Sequence, residues 1–409
     1  MNQPELLAPA GTFACAEAAF DHGADAVYIG IGKLSLRAHS PNFAIEDLSE
    51  LLALTRAFNK KIYATLNVMP NQYMIKDVRQ VLEDIRKREV FPDAFIVSDP
   101  GVIMLCKEII PDVELHLSTQ TGTFNLLSLE FWKKQGIVRA VLPREFTVDQ
   151  IAEASSSGIM ETEIFIHGAM CVSVSGRCLL GAYAGSRHPN FGDCPQPCRL
   201  KYTISAAQTE NSREISFDAE EDGEGVYLLN SKDLCTISIL PDIINSGVHS
   251  LKIEGRNKSA HYVASVVKTY RSAINSYFEN PENYIVKPEW LRELDVVEHR
   301  TYTTGFYKKE NTLQDVFTSK ATGKSRVVGM VKAILPGGLP VIDVKNSFSS
   351  DEKIEILPVQ QSLSPFEVHF DLLTDLSNNP IFRPPSNRLV IGHTATKLRP
   401  GDMLRKVSD

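Results

Sequence analysis

The sequence predicts an α/β fold: a (β/α)8 barrel of the TIM type with a cysteine-containing insertion between strands 7 and 8, followed by a small C-terminal antiparallel β-barrel. Three observations predict it. Short β-rich apolar runs alternate with longer amphipathic runs up to about residue 280, and the strand candidates number eight. The gap between the seventh and eighth is far longer than the others, about eighty residues, and holds the densest group of cysteines. Near residue 323 the pattern changes to short strands separated by turn residues.

The strand candidates are ELLAPA (5–10), DAVYIG (25–30), KIYATLN (61–67), DAFIVSD (93–99), VELHLST (113–119), RAVLPRE (139–145), TEIFIHG (162–168) and HSLKIEG (249–255). Helical periodicity follows most of them, at 44–58, 75–88, 126–136, 148–158 and 259–278. No GxGxxG follows the first strand, which weighs against an open dinucleotide-binding sheet. The long gap carries strand-like KYTISA (201–206) and YLLN (227–230) and a helical TISILPDIINSG (236–247), so an ordered insertion over the end of the barrel is expected. Loops leaving the C-terminal strand ends build the active site of such barrels. VVGMVKAI, LPVIDVK, EKIEILPV, FEVHFDLL, NRLVIGHT and DMLRKV, divided by PGG, NSFSSD, SNNP and RPGD, read as the small β-domain. The expected division is therefore a barrel over 1–299 with the insertion at about 169–248, a basic linker over 300–322, and a β-barrel over 323–409.

The 409 residues carry a net charge of −7, which excludes a surface that is basic everywhere but leaves room for a local patch. Arg300, Lys308, Lys309, Lys320, Lys324, Arg326 and Lys332 face only Glu310 and Asp315 between residues 300 and 332. The first six are candidate RNA contacts, and an ordinary solvated surface is the competing reading. The acidic DAEEDGEG (218–225) reads as a solvated loop. The first thirty residues lack the basic head and apolar stretch of a signal peptide, and no apolar run is long enough to span a bilayer. A cytoplasmic protein with no membrane contact is expected, and there a group of cysteines binds metal or does chemistry rather than forming disulfides.

Cys171, Cys178, Cys194, Cys198 and Cys235 are set among Gly, Pro, Ser and charge, whereas Cys15 and Cys106 fall in helical runs as small buried residues. Only Cys194 and Cys198 show the close spacing of a zinc knuckle. Loosely spaced loop thiolates suit an iron–sulfur cluster, and a structural zinc site stays open on spacing alone. Among strand residues, alternation turns His116, Ser118 and Gln120 inward, with Lys252 and Glu254 opposing Leu251 and Ile253; Glu163 and His167 share one face, and so do Thr65 and Asn67. Each alone also fits a satisfied buried polar group; together they predict a polar pocket.

Glu163, Phe165, Gly168, Ala169, Met170, Cys171, Gly176, Cys178 and Leu180 match ExFxxG(S/A)(hydrophobic)CxxxxGxC, the signature of the peptidase U32 family, with Gly181 standing where that pattern has Ser. The resemblance extends through LLAPAG, GADAVYIG, NSKDLC (230–235), LKIEGRNKS (251–259) and HRTYTTGFY (299–307) to the β-domain. It implies a 4Fe-4S cluster held by Cys171, Cys178, Cys194 and Cys235, with Cys198 as a substitute. It further implies oxygen-independent hydroxylation of a tRNA wobble uridine to 5-hydroxyuridine, with prephenate as hydroxyl donor and tRNA as partner. The resemblance leaves room for a homologous protein partner. On that reading His167, Glu163, His116, Lys252 and Glu254 are the catalytic candidates, His167 as a proton relay. Arg144, Arg256, Lys258, Asn67 and Gln120 are the substrate-binding ones, because a dicarboxylate donor suits Arg and Lys. The alternatives are a collagenase-like U32 peptidase, hydroxylation of another RNA or of a small aromatic substrate, and a noncatalytic cluster-bearing partner. A cysteine peptidase needs one activated thiol beside a His, and the metallopeptidase motif HExxH is absent from the sequence.

Overall fold

The computed structural model describes every residue except Met1, Lys33, 37–40, Ser186, 201–228, 310–312, 316–317 and Asp409. The runs read as KYTISA and DAEEDGEG, and the first half of YLLN, lie outside the described residues.

Eight parallel strands close a barrel: β1 (Glu5–Pro9), β2 (Ala26–Gly30), β3 (Lys61–Leu66), β4 (Ala94–Val97), β5 (Glu114–Leu117), β6 (Arg139–Val141), β7 (Glu161–Ala169) and, after the short β8 (Asp233–Cys235), β9 (Ser250–Ile253). Closure is direct, since β9 pairs in parallel with both β7 and β1. The (β/α)8 expectation holds. Within the long insertion, β8 turns back antiparallel on β7, setting Cys235 opposite His167, and takes β10 (Tyr302–Thr303) as a further parallel neighbour. The segment read as a basic linker therefore contributes a strand to the barrel sheet.

The helices are α1 (Phe13–Asp21), α2 (Leu48–Ala57), α3 (Met74–Arg88), α4 (Pro100–Ile109), α5 (Leu126–Lys134), α6 (Val148–Ser156), α7 (Leu180–Gly185), α8 (Leu240–Asn245), α9 (Ala260–Glu279) and α10 (Pro288–Val296). Their starts follow local chemistry. Asp99 accepts from the N–H groups of Gly101 and Val102 with Pro100 in the first turn of α4; Thr147 and Gln150 form a capping box on α6; Ser259 accepts from the Tyr262 N–H on α9. Among the described residues no helix is long and apolar enough to cross a membrane.

The chain divides into two compact units. One spans Met1–Phe13, Asp25–Lys258 and His299–Ala321 and contains all the strands named so far; the other spans Ala14–Ala24, Ser259–Glu298 and Thr322–Asp409. The second unit holds a seven-stranded antiparallel sheet of β11 (Ser325–Ile334), β12 (Pro340–Val344), β13 (Ile354–Leu357), β14 (Phe366–Val368), β15 (Leu372–Thr374), β16 (Arg388–His393) and β17 (Met403–Val407), in the order β14-β13-β17-β11-β12-β16-β15. Its core packs Val328, Val331, Ile342, Phe348, Phe370 and Leu404. Ala18 of α1 and Ala264 of α9 pack with Leu357 and Met403 of this sheet.

Arg405 is fully buried in the second unit. It donates to both carboxylate oxygens of Glu293 at 2.7 and 2.6 Å and to Glu355 Oε1 at 2.6 and 2.9 Å, with His261 Nε2 at 3.0 Å. Removing one partner of such a group leaves an uncompensated buried charge. Glu293→Ala is expected to destabilise this unit by about 3–5 kcal/mol, read as an earlier unfolding transition; an unshifted transition contradicts the assignment.

Burial keeps four histidines neutral. It lowers His22 to about 4, His167 and His261 to about 3, and His116 well below its ordinary value. Each takes up a proton near pH 6.5 when unfolded but not when folded, so its contribution to stability is present above 6.5 and lost as the pH falls. Each histidine removes up to about 1.4 kcal/mol per pH unit below that point. Asp21, which burial raises to about 6, acts in the opposite direction with a single proton. The urea midpoint is therefore expected to fall between pH 7.5 and pH 5; a midpoint that stays constant contradicts the buried-neutral assignment.

Candidate active site at the barrel mouth

The inward faces of the strands carry a charged layer inside the barrel. Tyr63 donates to Glu5 at 2.6 Å, and Arg139 donates to Glu5 at 2.6 Å and to Glu161 at 2.7 and 2.9 Å. Above them Lys252 Nζ donates to Glu163 Oε1 at 2.7 Å, with both side chains buried. Arg139 stands 3.6 Å from the other Glu163 oxygen. Burial depresses the pKa of the Lys252 ammonium, and the Glu163 carboxylate opposes that shift. The ammonium also lies 4.6 Å from the centre of the Tyr28 ring, so it is held by a carboxylate and an aromatic face.

Over this layer opens a cavity of about 1360 Å³. Its wall includes Lys252, Glu254, Arg256, Arg144, Asn67 and Gln120, all expected from the sequence, together with Tyr28, Thr65, Ser118 and Phe165. Arg256 donates to Thr65 at 2.9 Å and to Ser35 at 2.6 Å. It can lie there because residue 30 is glycine: a Cβ on Gly30 would meet the Arg256 guanidinium at 2.4 Å. Gly168, at φ +104°, likewise lets β7 pass the Glu254 carbonyl, which a Cβ would meet at 2.5 Å. The Arg144 guanidinium sits 3.9 Å from the centre of the Phe165 ring and donates one bond, to the Ala169 carbonyl at 2.6 Å, while its Nε finds no hydrogen-bond partner among the described residues. Both ends of the buried Gln120 amide also lack a partner among the described residues.

Three catalytic candidates fall off the cavity wall. Glu163 reaches it only through Lys252. His116 lies in the deeper layer with its ring 4.7 Å from that of Tyr63, and His167 faces the β8 and β10 side with its ring 5.4 Å from Tyr302. Lys258, just past β9, does not line the cavity either.

Cys171, Cys178, Cys194 and Cys198 do line it. All are free thiols; Cys171 is exposed and the other three are half-buried, whereas Cys235 is buried in β8. Burial raises the pKa of the Cys198 thiol; Arg199 lowers it, and the neighbouring thiols of Cys171, Cys194 and Cys178 raise it. The Leu180 N–H points at Cys178 Sγ, 3.3 Å away. No group of three or more His, Cys, Asp or Glu side chains among the described residues is drawn together closely enough for a single metal ion. A polynuclear cluster makes a different demand, because each thiolate binds its own iron and the sulfurs stand farther apart than around one tetrahedral zinc with Zn–S of about 2.3 Å. The four thiols share the cavity wall, and those of Cys171, Cys194 and Cys178 stand close enough to Cys198 to raise its pKa.

Two residues shape this wall that alternation and cysteine spacing did not single out for the purpose. Glu145 accepts from the Ser175 N–H at 2.6 Å and its hydroxyl at 3.0 Å, which pins the turn between Cys171 and Cys178. Arg199 donates to the Met170 carbonyl at 2.8 Å, the Ser231 carbonyl at 2.6 Å and the Asn230 amide oxygen at 2.8 Å, so it joins the two ends of the insertion. Its place directly after Cys198 was the available signal.

Three of the six basic candidates are neutralised by carboxylates. Arg300 pairs with Asp233 at 2.7 Å, Lys308 with Asp242 at 2.5 Å and Lys324 with Asp295 at 2.7 Å, while Arg326 donates to Asn346 at 2.6 Å. Lys309 and Lys320 are exposed, with no ion-pair partner among the described residues. Lys324 and Arg326 belong to the second unit, the other four to the first.

Comparison with known proteins matches residues 11–316 to the model of Peptidase family U32. The chain is 40% identical to tRNA hydroxylation protein P1 of Bacillus subtilis (strain 168), over 75% of this chain and 71% of that one. It is 34% identical to tRNA hydroxylation protein P of Escherichia coli (strain K12), over 89% and 88% of the two chains. A protein of Porphyromonas gingivalis (strain ATCC BAA-308 / W83) named collagenase is 33% identical over 75% of this chain and 74% of its own. By the extent of the family match and by these identities, this chain belongs to the peptidase U32 family.

Proposed function

We propose that the protein hydroxylates RNA, converting a tRNA wobble uridine to 5-hydroxyuridine without molecular oxygen, with a 4Fe-4S cluster at the barrel mouth and a prephenate-type dicarboxylate as hydroxyl donor. The observation that carries this reading is the cavity wall, where four thiols and the cations Lys252, Arg144 and Arg256 face one space. Relatives named for tRNA hydroxylation, alike over most of both chains, support the substrate class.

The wall can divide the work. Cys171, Cys178 and Cys194, with a fourth thiolate from Cys198 or Cys235, would hold the cluster, which would supply electron-transfer capacity when bound. Arg144 brings its guanidinium to the cavity wall with one nitrogen, Nε, unpaired among the described residues, and stacking on Phe165 fixes the plane that would meet a carboxylate. Lys252, in a low-dielectric floor and oriented by Glu163, attracts a second carboxylate and restricts how the donor lies. About 1360 Å³ exceeds the roughly 300–1,000 Å³ usual for one small ligand, so an extruded pyrimidine and the donor fit side by side. In the exchange the donor gives up OH and receives the hydrogen from C5, so the two-electron oxidation of the base is matched by reduction of the donor.

The wall does not favour peptide hydrolysis: a thiol nucleophile needs an adjacent base, and among the described residues no histidine lines the cavity. The test is nucleoside analysis of tRNA from a strain lacking the gene. Loss of 5-hydroxyuridine derivatives, restoration by the wild-type gene and at least a tenfold deficit with Lys252→Met are expected. Unchanged 5-hydroxyuridine derivatives in the deletion strain overturn the proposal.

A further inference from the structure

Part of the cysteine segment lines the cavity, and the rest presents an outward surface. Between residues 171 and 200 six large apolar side chains stand in solvent; Tyr183 is 87% exposed, Val174 61% and Leu179 60%. A soluble protein rarely gathers such side chains without a use for them. The inner side of α7 is tightly packed, because a Cβ on Gly181 would meet Pro195 at 2.8 Å and Pro189 at 3.0 Å. Leu179 and Tyr183, four residues apart and joined by a backbone hydrogen bond of 3.0 Å, are neighbours on the outward side. The surface continues into the cavity, since Val172 and Val174 are both exposed and part of its wall.

Its charge differs from that of the whole chain. Residues 171–200 hold Arg177, Arg187 and Arg199 against Asp193 alone, a local charge of +2 in a chain of −7. Arg187 is taken up by Asp193 at 2.6 Å, and Arg199 by the insertion ends. Arg177 is exposed and has no carboxylate partner among the described residues. Exposed aromatic rings with nearby guanidinium groups are how proteins hold unpaired nucleotides, the rings stacking on bases and the cations meeting phosphates. In a two-fold contact this patch would face its own copy, and its exposed cation would meet a like charge rather than a phosphate.

We propose that this collar is the RNA-docking surface: Tyr183 stacks on an unpaired base next to the target, Arg177 meets a neighbouring phosphate, and the target base passes Val172 and Val174 into the cavity. The inference rests on the RNA reading above and replaces the basic run at 300–332, of which Arg300, Lys308 and Lys324 are taken up by carboxylates, as the primary contact.

The test is binding of an anticodon stem-loop RNA to anaerobically prepared full-length protein across a salt series, with the visible spectrum recorded for each variant. Tyr183→Ala is expected to weaken binding about five- to one-hundred-fold, while Tyr183→Trp stays within about twofold of wild type, because an indole stacks as a phenol does. Arg177→Gln is expected to lower the slope of log affinity against log salt by about one. Leu179→Gln, on the same face as Tyr183, supplies a further reading if another variant alters the spectrum, with weaker binding expected. Wild-type binding that Tyr183→Ala, Arg177→Gln and Leu179→Gln all leave intact overturns the collar assignment while the RNA reading stands. Tyr183→Ala that changes the sedimentation of the protein but not its RNA affinity assigns the surface to a second copy and overturns the proposal. Wild-type protein that does not bind the RNA at any salt concentration overturns the RNA reading itself.

Discussion

The mouth of the barrel depends on one guanidinium. Arg199 donates to Met170 at the entry to the insertion and to Asn230 and Ser231 at its exit, and so fixes where the intervening chain leaves and rejoins the barrel. Asn230, itself fully buried, passes the constraint on by donating to the carbonyls of Asp315 and Thr318. Without these bonds several half-buried carbonyls lose their donors, at about 1–3 kcal/mol each, and the thiol wall loses its frame. The Glu145 contact with Ser175 holds the opposite side of the same loop.

Beneath that frame the barrel holds a charged cluster beside an apolar one of Leu7, Ala26, Tyr28, Tyr63, Ala94 and Ile96, where many barrels carry branched aliphatic layers throughout. Glu5, Arg139, Glu161, Glu163 and Lys252 compensate one another in sequence, so that only the uppermost group, Lys252, meets the cavity. A buried ion pair of this kind adds little to stability over well-packed apolar residues. Its effect is positional: the ammonium is held at one point, in a medium where its field is weakly screened. Pre-set charge at the floor and thiols on the wall suit the proposed reaction between an anionic donor and a neutral base.

The eight barrel strands were legible because each is a short apolar run with turn chemistry at its ends, and alternation in KIYATL and SLKI correctly turned Thr65 and Lys252 inward. Alternation names a face but not a depth along the strand. That is why His116 and Glu163, rightly read as inward, lie in the layer beneath the cavity. The strands β8 and β10, of three and two residues, are too short to show any period and become strands only by pairing. Counting lysines and arginines over 300–332 could not reveal Asp233, Asp242 and Asp295, which neutralise Arg300, Lys308 and Lys324 from other parts of the chain. The Arg405 network, joining residues 112 and 50 positions apart, was invisible for the same reason.

The central claim is that thiolates from separate loops grip one iron–sulfur centre at the barrel mouth. It is tested most directly by iron and acid-labile sulfide analysis of anaerobically purified protein, alongside single serine replacements of Cys171, Cys178 and Cys194. The account predicts about four irons and four sulfides per chain, with absorption near ~400 nm, and loss of the centre in each replacement. Stoichiometric zinc without sulfide, or a protein that holds no metal when its thiols are intact, contradicts it.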